Sequence, residues 1–408
     1  MRHVAFVAFK LLLERKRQTL VSVLGVSIGV SAFIVMSSLM IGFQSYFIQQ
    51  VIDLEPHIRI KPREERTDFM FEEPVLVLGE RLKEKDKILG WYEIMQSLEK
   101  HPEVLGVAPR LVSRGILKYG VKDKPVTLLG IDPQREPKAS IIEKFLIHKN
   151  LKKLETNRTG VILGVLVAKS LGIQEKGKKL LLVAPNGQTL LVTVEDFFES
   201  GITNIDDARV YLNIKTLQSL LDRQGEANEI VVKIGDVNRA EKISRDFQEI
   251  IPYEVESWQR AYRNFLSIFK IQNTITYMIV FAILTVSAFG IFNIIMMTVL
   301  EKKKDIAILM AMGFTRRDVL LIFMVEGFVV GLLGALLGSV LGYGLQEYLE
   351  SIKLDVEGLI RTKGFVLDRS PLFYLYALVF SLFFSLLASL YPSYRASRLN
   401  PVDIFRSQ

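Results

Sequence analysis

From Thr19 to Phe43 the chain carries no charged side chain, and the same is true of Ile275–Leu300 and Leu372–Tyr391. Val319–Gln346 is broken only by Glu326. About 20 apolar residues of helix cross a hydrocarbon layer of ~30 Å, so each run is long enough to span a bilayer. Everything else must be arranged around these four stretches. With 50% hydrophobic and 24% charged residues, the composition fits membrane helices joined to a polar folded domain.

The expected class is therefore a membrane protein of four transmembrane α-helices, with a large α+β extracytoplasmic domain inserted between the first and second. Residues 1–18 read as a basic amphipathic helix on the cytoplasmic leaflet, ending in Arg15-Lys16-Arg17. Residues 19–43 form the first span. The run is too long for the apolar part of a cleaved signal peptide, and no small-residue cleavage site follows closely. Residues 44–270 form the polar domain, and 275–300, 319–346 and 371–392 are the remaining spans. The connections are 301–318 and 347–370, with a tail at 393–408. Basic residues flank three of these segments: Arg15–Arg17, Lys302–Lys304 with Arg316 and Arg317, and Arg395, Arg398 and Arg406. The 347–370 connection balances Lys353, Arg361, Lys363 and Arg369 against Glu347, Glu350, Asp355, Glu357 and Asp368. That asymmetry puts both termini and the 301–318 segment in the cytoplasm and the large domain outside.

Within the domain, His57–Pro62 alternates as a strand, and residues 63–90 are charged and weakly patterned, as a solvated arm would be. A helix is expected at Tyr92–Lys100, then strands at Val104–Val107, Ser113–Tyr119 and Val126–Ile131. Val161–Leu171 reads as helix. Lys179–Ala184 and Thr189–Glu195 read as a hairpin closed by Pro185-Asn-Gly-Gln188. Arg209–Leu212 is a strand before a helix at Lys215–Leu221, and Glu229–Ile234, Val237–Ile250 and Tyr253–Ser257 form a β-α-β unit. The expected division is a ferredoxin-like part and a more β-rich part.

Residues 301–318, the long charged interruption between two spans, carry the strongest local signals. Ile306, Leu309 and Met310 share one face of a short helix, which Gly313 would terminate. Thr315 and Asp318 have the spacing of a capping box that opens the next helix. A short amphipathic helix between spans, flanked by Lys302–Lys304 and Arg316-Arg317, is expected to need a cytoplasmic partner for its apolar face.

The spans offer two further features. Gly334, Gly338 and Gly342 in the third and Gly25 and Gly29 in the first make small-residue seams. Packing within one subunit and a dimer interface both account for them. Asn293 and Glu326 are polar groups inside spans, where an ionisable residue is a functional candidate by default. No second carboxylate lines the spans to form a relay, so proton coupling is weakly supported.

Several function classes are excluded or disfavoured. The chain has no cysteine, and its four histidines are scattered without metal-ligand spacing. The net charge of +8 is explained by the basic flanks, and no basic-aromatic stripe points to nucleic acid. Gly172–Lys179 comes close to a phosphate-binding loop but lacks the final hydroxyl, and it follows a helix instead of a strand. No catalytic, cofactor or metal residues are expected.

The arrangement of one span, a large external domain and three spans resembles the LolC/LolE-type lipoprotein-releasing ABC permease family, of the superfamily with FtsX-like and MacB-like members. Glu301-Lys302 and Asp305-Ile-Ala-Ile-Leu-Met-Ala-Met-Gly313 resemble that family's coupling segment, and Tyr391-Pro-Ser-Tyr-Arg-Ala-Ser-Arg-Leu-Asn-Pro401 its C-terminal motif. Gly42-Phe43, Gly130-Ile-Asp-Pro133, Val161–Gly164 and Trp258-Gln259 also match. The resemblance implies a bacterial inner-membrane permease, paired with a second permease subunit as a homo- or heterodimer, over a separate dimeric ABC ATPase that binds ATP and Mg. Glu301, Lys302, Asp305, Ile306, Leu309, Met310 and Gly313 would be the ATPase-coupling residues. The substrate would be a lipoprotein extracted from the outer leaflet and passed to a periplasmic carrier. The hairpin closed at Asn186-Gly187 departs from the family pattern, in which one subunit carries a long hook-like loop there that docks the carrier. The alternative is an FtsX-like transducer that activates a periplasmic cell-wall hydrolase and moves no substrate.

Overall fold

The computed structural model describes residues 2–63, 86–149, 151–353, 355–357 and 361–400. Most of the 63–90 arm, and Pro401 and Arg406, lie outside them. In chain order the elements are α1 (Arg2–Glu14), α2 (Lys16–Leu54), β1 (Ile58–Lys61), α3 (Trp91–Glu99), β2 (Val104–Tyr119), β3 (Lys122–Ile131), α4 (Glu136–Ala139) and α5 (Lys153–Thr156). These are followed by β4 (Gly160–Gly164), α6 (Val165–Leu171), β5 (Lys179–Val183), β6 (Thr189–Phe198), α7 (Thr203–Asp206), β7 (Arg209–Asn213), α8 (Ile214–Leu220), β8 (Glu229–Ile234), α9 (Ala240–Ile250) and β9 (Glu254–Ser257). The last are α10 (Trp258–Ala261), α11 (Arg263–Glu301), α12 (Lys303–Ala311), α13 (Arg316–Ser351), β10 (Asp355–Glu357), β11 (Arg361–Lys363) and α14 (Pro371–Ser397). Contacts divide them into two units, residues 46–267 with 355–362, and residues 1–45 with 268–354 and 363–408.

The first unit is built on one long strand. The sequence suggests two strands at 104–119, but β2 runs through all sixteen residues. Its first half pairs with β8, and β1 lies antiparallel between β8 and β9. With α3 and α9 as the crossovers, the order β2-β8-β1-β9 is the expected ferredoxin-like arrangement. The second half of β2 pairs with β3 on one side and β5 on the other. The pairings β3–β7, β7–β4, β4–β6 and β6–β5 then close a ring of six strands. Alternate residues fill its interior, Leu180 and Leu182 with Val192 and Val194 among them, while Leu181 and Leu191 point out. The two parts share a strand, so they cannot separate as independent domains would.

One expected helix is corrected. Residues 160–164 are strand β4, and helix begins only at Val165. All five β4 residues are buried, and β4 is paired on both edges, so its apolar run lacks the alternation that marks a half-exposed strand. The near phosphate-loop at 172–179 is a helix-to-strand turn, with Gly172 and Gly177 at positive φ. The hairpin at Ala184–Gln188 closes as the sequence suggests.

In the second unit, α2, α11, α13 and α14 are long and apolar enough to cross a membrane. A Cβ on Gly334, Gly338 or Gly342 would meet Val26, Val30 or Ile34. The contacts advance together along both helices, so α2 and α13 run parallel with their backbones close. On another face of α13, Gly327 and Gly331 pack on Ser389 and Ser385, so α14 runs antiparallel. Ser381, Ser385, Ser389 and Ser393 recur every fourth residue of α14, all buried. This serine row is the partner of Gly327 and Gly331, and its spacing is legible in the sequence.

Candidate coupling surface

Lys302 breaks the helix after α11, and α12 turns away as a separate element. Its end is a Schellman motif: Phe314 N–H donates to Leu309 O (3.1 Å) and Gly313 N–H to Met310 O (3.1 Å). Gly313 takes φ of 102°, a conformation that suits glycine. The next helix opens two residues later with the capping box, in which Thr315 and Asp318 satisfy each other's backbone N–H groups. Two local stop-and-start signals thus fix the angle at which α12 lies between α11 and α13.

The orientation of α12 differs from the sequence expectation. Ile306 and Ala307 are buried, and Ile306 and Leu309 line a crevice with Val7 and Leu11 of α1 and Val319, Ile322 and Phe323 of α13. Met310 packs against the same core. The apolar face at Ile306, Leu309 and Met310 is therefore taken up by the chain's own helices. The outward side presents Ile308 (47% exposed) and Met312 (73%), with Lys303, Lys304, Arg316 and Arg317 exposed around them. An apolar centre within a basic rim is a surface suited to an acidic-rimmed protein partner.

Ion pairs join the α11–α12 junction to the end of α1 and the residue after it. Lys302 Nζ reaches Glu14 Oε2 at 2.9 Å and Asp305 Oδ2 at 3.1 Å, and Arg15 pairs with Glu301. The Lys302 bond holds the Glu14 carboxyl below its ordinary range, and the bonds from Lys302 to Glu14 and Asp305 raise the ammonium. Glu301 and Lys302 thus tie the start of α12 to the N-terminal segment, and Asp305 pairs back to Lys302.

The other sequence candidates are dispersed. Gly29 packs on Ser287 and Ile283 of α11, and Gly25 O accepts a hydrogen bond from Ser287 Oγ (3.2 Å). Gly29 and the α13 glycines thus pack inside this chain, whereas a Cβ on Gly25 would meet nothing within 4 Å. Asn293 is exposed on α11, whereas Glu326 is only 4% exposed, with Oε2 lacking a hydrogen-bond partner among the described residues. The two do not share a site. No group of three metal-ligating side chains occurs among the described residues.

A cluster the sequence does not reveal lies in the first unit. Glu55, Glu136 and Glu229 are interleaved with Arg59, Arg110 and Arg209, all largely buried. These residues are scattered along the chain, and only the sheet order brings them together.

Residues 19–250 match the family described as the MacB-like periplasmic core domain, and residues 277–401 that described as the FtsX-like permease C-terminal. Over 412 residues the chain is 26% identical to the lipoprotein-releasing system transmembrane protein LolC of Xylella fastidiosa, covering 95% of this chain and 93% of that protein. It is 26% identical to LolC of Neisseria meningitidis, covering 98% of each. It is also 27% identical to the lipoprotein-releasing system transmembrane protein LolE of Haemophilus influenzae, covering 95% and 93%.

Proposed function

Because the chain belongs to the permease family built from a MacB-like periplasmic core domain and an FtsX-like C-terminal module, we propose that it is the permease subunit of a lipoprotein-releasing ABC transporter. It draws lipoproteins out of the outer leaflet of the inner membrane and releases them for sorting to the outer membrane. The observation that carries this reading is the near-complete coverage of both LolC and LolE proteins at similar identity.

In this reading a separate ATPase dimer binds ATP and Mg and supplies the energy. It docks on the outward side of α12, with Ile308 and Met312 inserted and Lys303, Lys304, Arg316 and Arg317 steering the approach. Leu309 and Met310 position α12 from behind, together with Ile306. Both termini and 301–318 are cytoplasmic, the large domain is periplasmic, and a second permease subunit completes the transmembrane assembly.

Purification of the tagged protein in mild detergent, with mass spectrometry of what accompanies it, tests the reading. The expected companions are an ABC ATPase and acylated lipoproteins, the latter lost on adding ATP. An ATPase accompanied by a murein hydrolase or its adaptor, with no lipoprotein, overturns it in favour of a transducer.

A further inference from the structure

We propose that Glu55 is a positioning residue at the joint through which helix movement reaches the six-stranded barrel. This rests on the permease reading above and adds the residue that makes the domain follow the helices. Glu55 follows directly on the last residue of α2, a helix unbroken from Lys16 to Leu54. Its carboxylate is 4% exposed and accepts three hydrogen bonds from three separate places. Arg59 Nη2 on β1 donates to Oε2 at 2.6 Å, while Arg209 Nη2, at the start of β7, and the Tyr262 hydroxyl (3.4 Å), immediately before α11, donate to Oε1. One side chain thus ties the end of α2, the approach to α11, the ferredoxin-like sheet and the barrel.

The surrounding groups make the tie rigid. Arg59 and Arg110 both approach Glu229 (3.7 and 3.5 Å), and Arg110 also holds the buried Glu136. Three carboxylates are matched by three guanidinium groups. A buried ion cluster contributes little over an apolar plug of the same volume, whereas its forked, charge-assisted bonds fix orientation closely. Phe47 of α2 packs on Tyr262 and on Phe265 of α11 at centroid distances of 6.2 and 5.1 Å, so the two helices arrive at the joint together. The other ion pair from this end of α2, Asp53 to Lys144 (2.5 Å), uses an ammonium that is 60% exposed and open to water. Burial works to raise the Glu55 carboxyl, but Arg209 and Arg59 hold it down to about 2. The joint therefore stays charged at any physiological pH and acts as a fixed linkage.

The chain has no cysteine, so two introduced ones are its only thiols and can be labelled before the complex is assembled. Val121→Cys at the fully exposed β2–β3 turn and Tyr348→Cys on the exposed face of α13 carry spin labels, in the complex with its ATPase in lipid nanodiscs. In the otherwise wild-type chain, trapping the ATPase with ATP and vanadate shifts the label distance. Glu55→Gln, and Arg209→Lys, which keeps the charge but loses the planar guanidinium that reaches Oε1, should leave ATP hydrolysis within about twofold. The same variants should at least halve the distance shift and lower lipoprotein released per ATP by about tenfold. Glu55→Asp, a shorter carboxylate, should restore part of the shift. If Glu55→Gln does not assemble, Arg209→Lys decides alone. A full distance shift in the variants, no shift in the wild type, or hydrolysis falling in step with the shift overturns the proposal. A wild type that moves on ATP but releases no lipoprotein refutes the permease reading and leaves the joint still testable by distance.

Discussion

Gly338→Ala adds one methyl group where α2 and α13 run closest. The new Cβ would lie 2.6 Å from Val30 Cβ and 2.7 Å from both Val30 Cγ1 and Ser27 O. Carbon atoms rest at about 3.5–4.0 Å, so the helices must part by roughly 1 Å or Val30 must leave its rotamer. Neither is free, because Val30 is 1% exposed and Ser27 O is backbone. Overpacking of this kind costs about 1–3 kcal/mol, offset by about 1 kcal/mol from alanine's better helix propensity. The net expectation is a loss of up to about 2 kcal/mol. Gly344→Ala, six residues further along the same helix, is the matched control: nothing lies within 4 Å of its Cβ, so only the propensity gain remains. Thermal unfolding of both variants in the same detergent should place Gly338→Ala a few degrees below wild type and Gly344→Ala at or above it. Equal midpoints for the two would refute the packing of α13 on α2.

Ile306→Asp places a charge in the crevice between α1, α12 and α13 and should destabilise the helical unit by about 3 kcal/mol or more. Ile308→Asp, on the outer side of α12, should leave the melting point unchanged and weaken ATPase binding at least tenfold, losing about 1.5–3 kcal/mol of apolar burial; a pull-down titration separates the two. Asp206 is wholly buried and accepts from Ser200 N (2.8 Å), Gly201 N (3.1 Å) and Arg361. Arg361→Ala leaves that carboxylate short of its cation and should cost the domain about 3 kcal/mol, seen as a lower urea midpoint. Burial of His57 depresses its imidazole below the ordinary 6.5, so between the folded value and 6.5 the unfolded chain binds the proton that the folded chain refuses. Stability is full above that window and falls as pH drops through it. His57→Gln should flatten that acid slope in a pH series of melts.

The four apolar runs, the Gly313 stop and the Thr315–Asp318 cap were legible in the sequence because bilayer thickness and helix-end hydrogen bonding act within one segment. The hairpin at Asn186-Gly187 was readable for a related reason, since turn chemistry is a local signal; the strand order β2-β8-β1-β9 was not, because it pairs segments distant in the chain. β4 was misread because a strand paired on both edges and buried on both faces has no period to detect. The partner of each face could not be read at all. Ile306 looks like an outward anchor until α1 is seen lying against it, and the α13 glycines look free until Val26, Val30 and Ile34 fill them. The Glu55–Arg209 joint spans 154 residues of chain, a pairing chosen by strand order and long-range burial. Periodicity determined which elements form, and tertiary packing alone decided which of their faces remain for a partner.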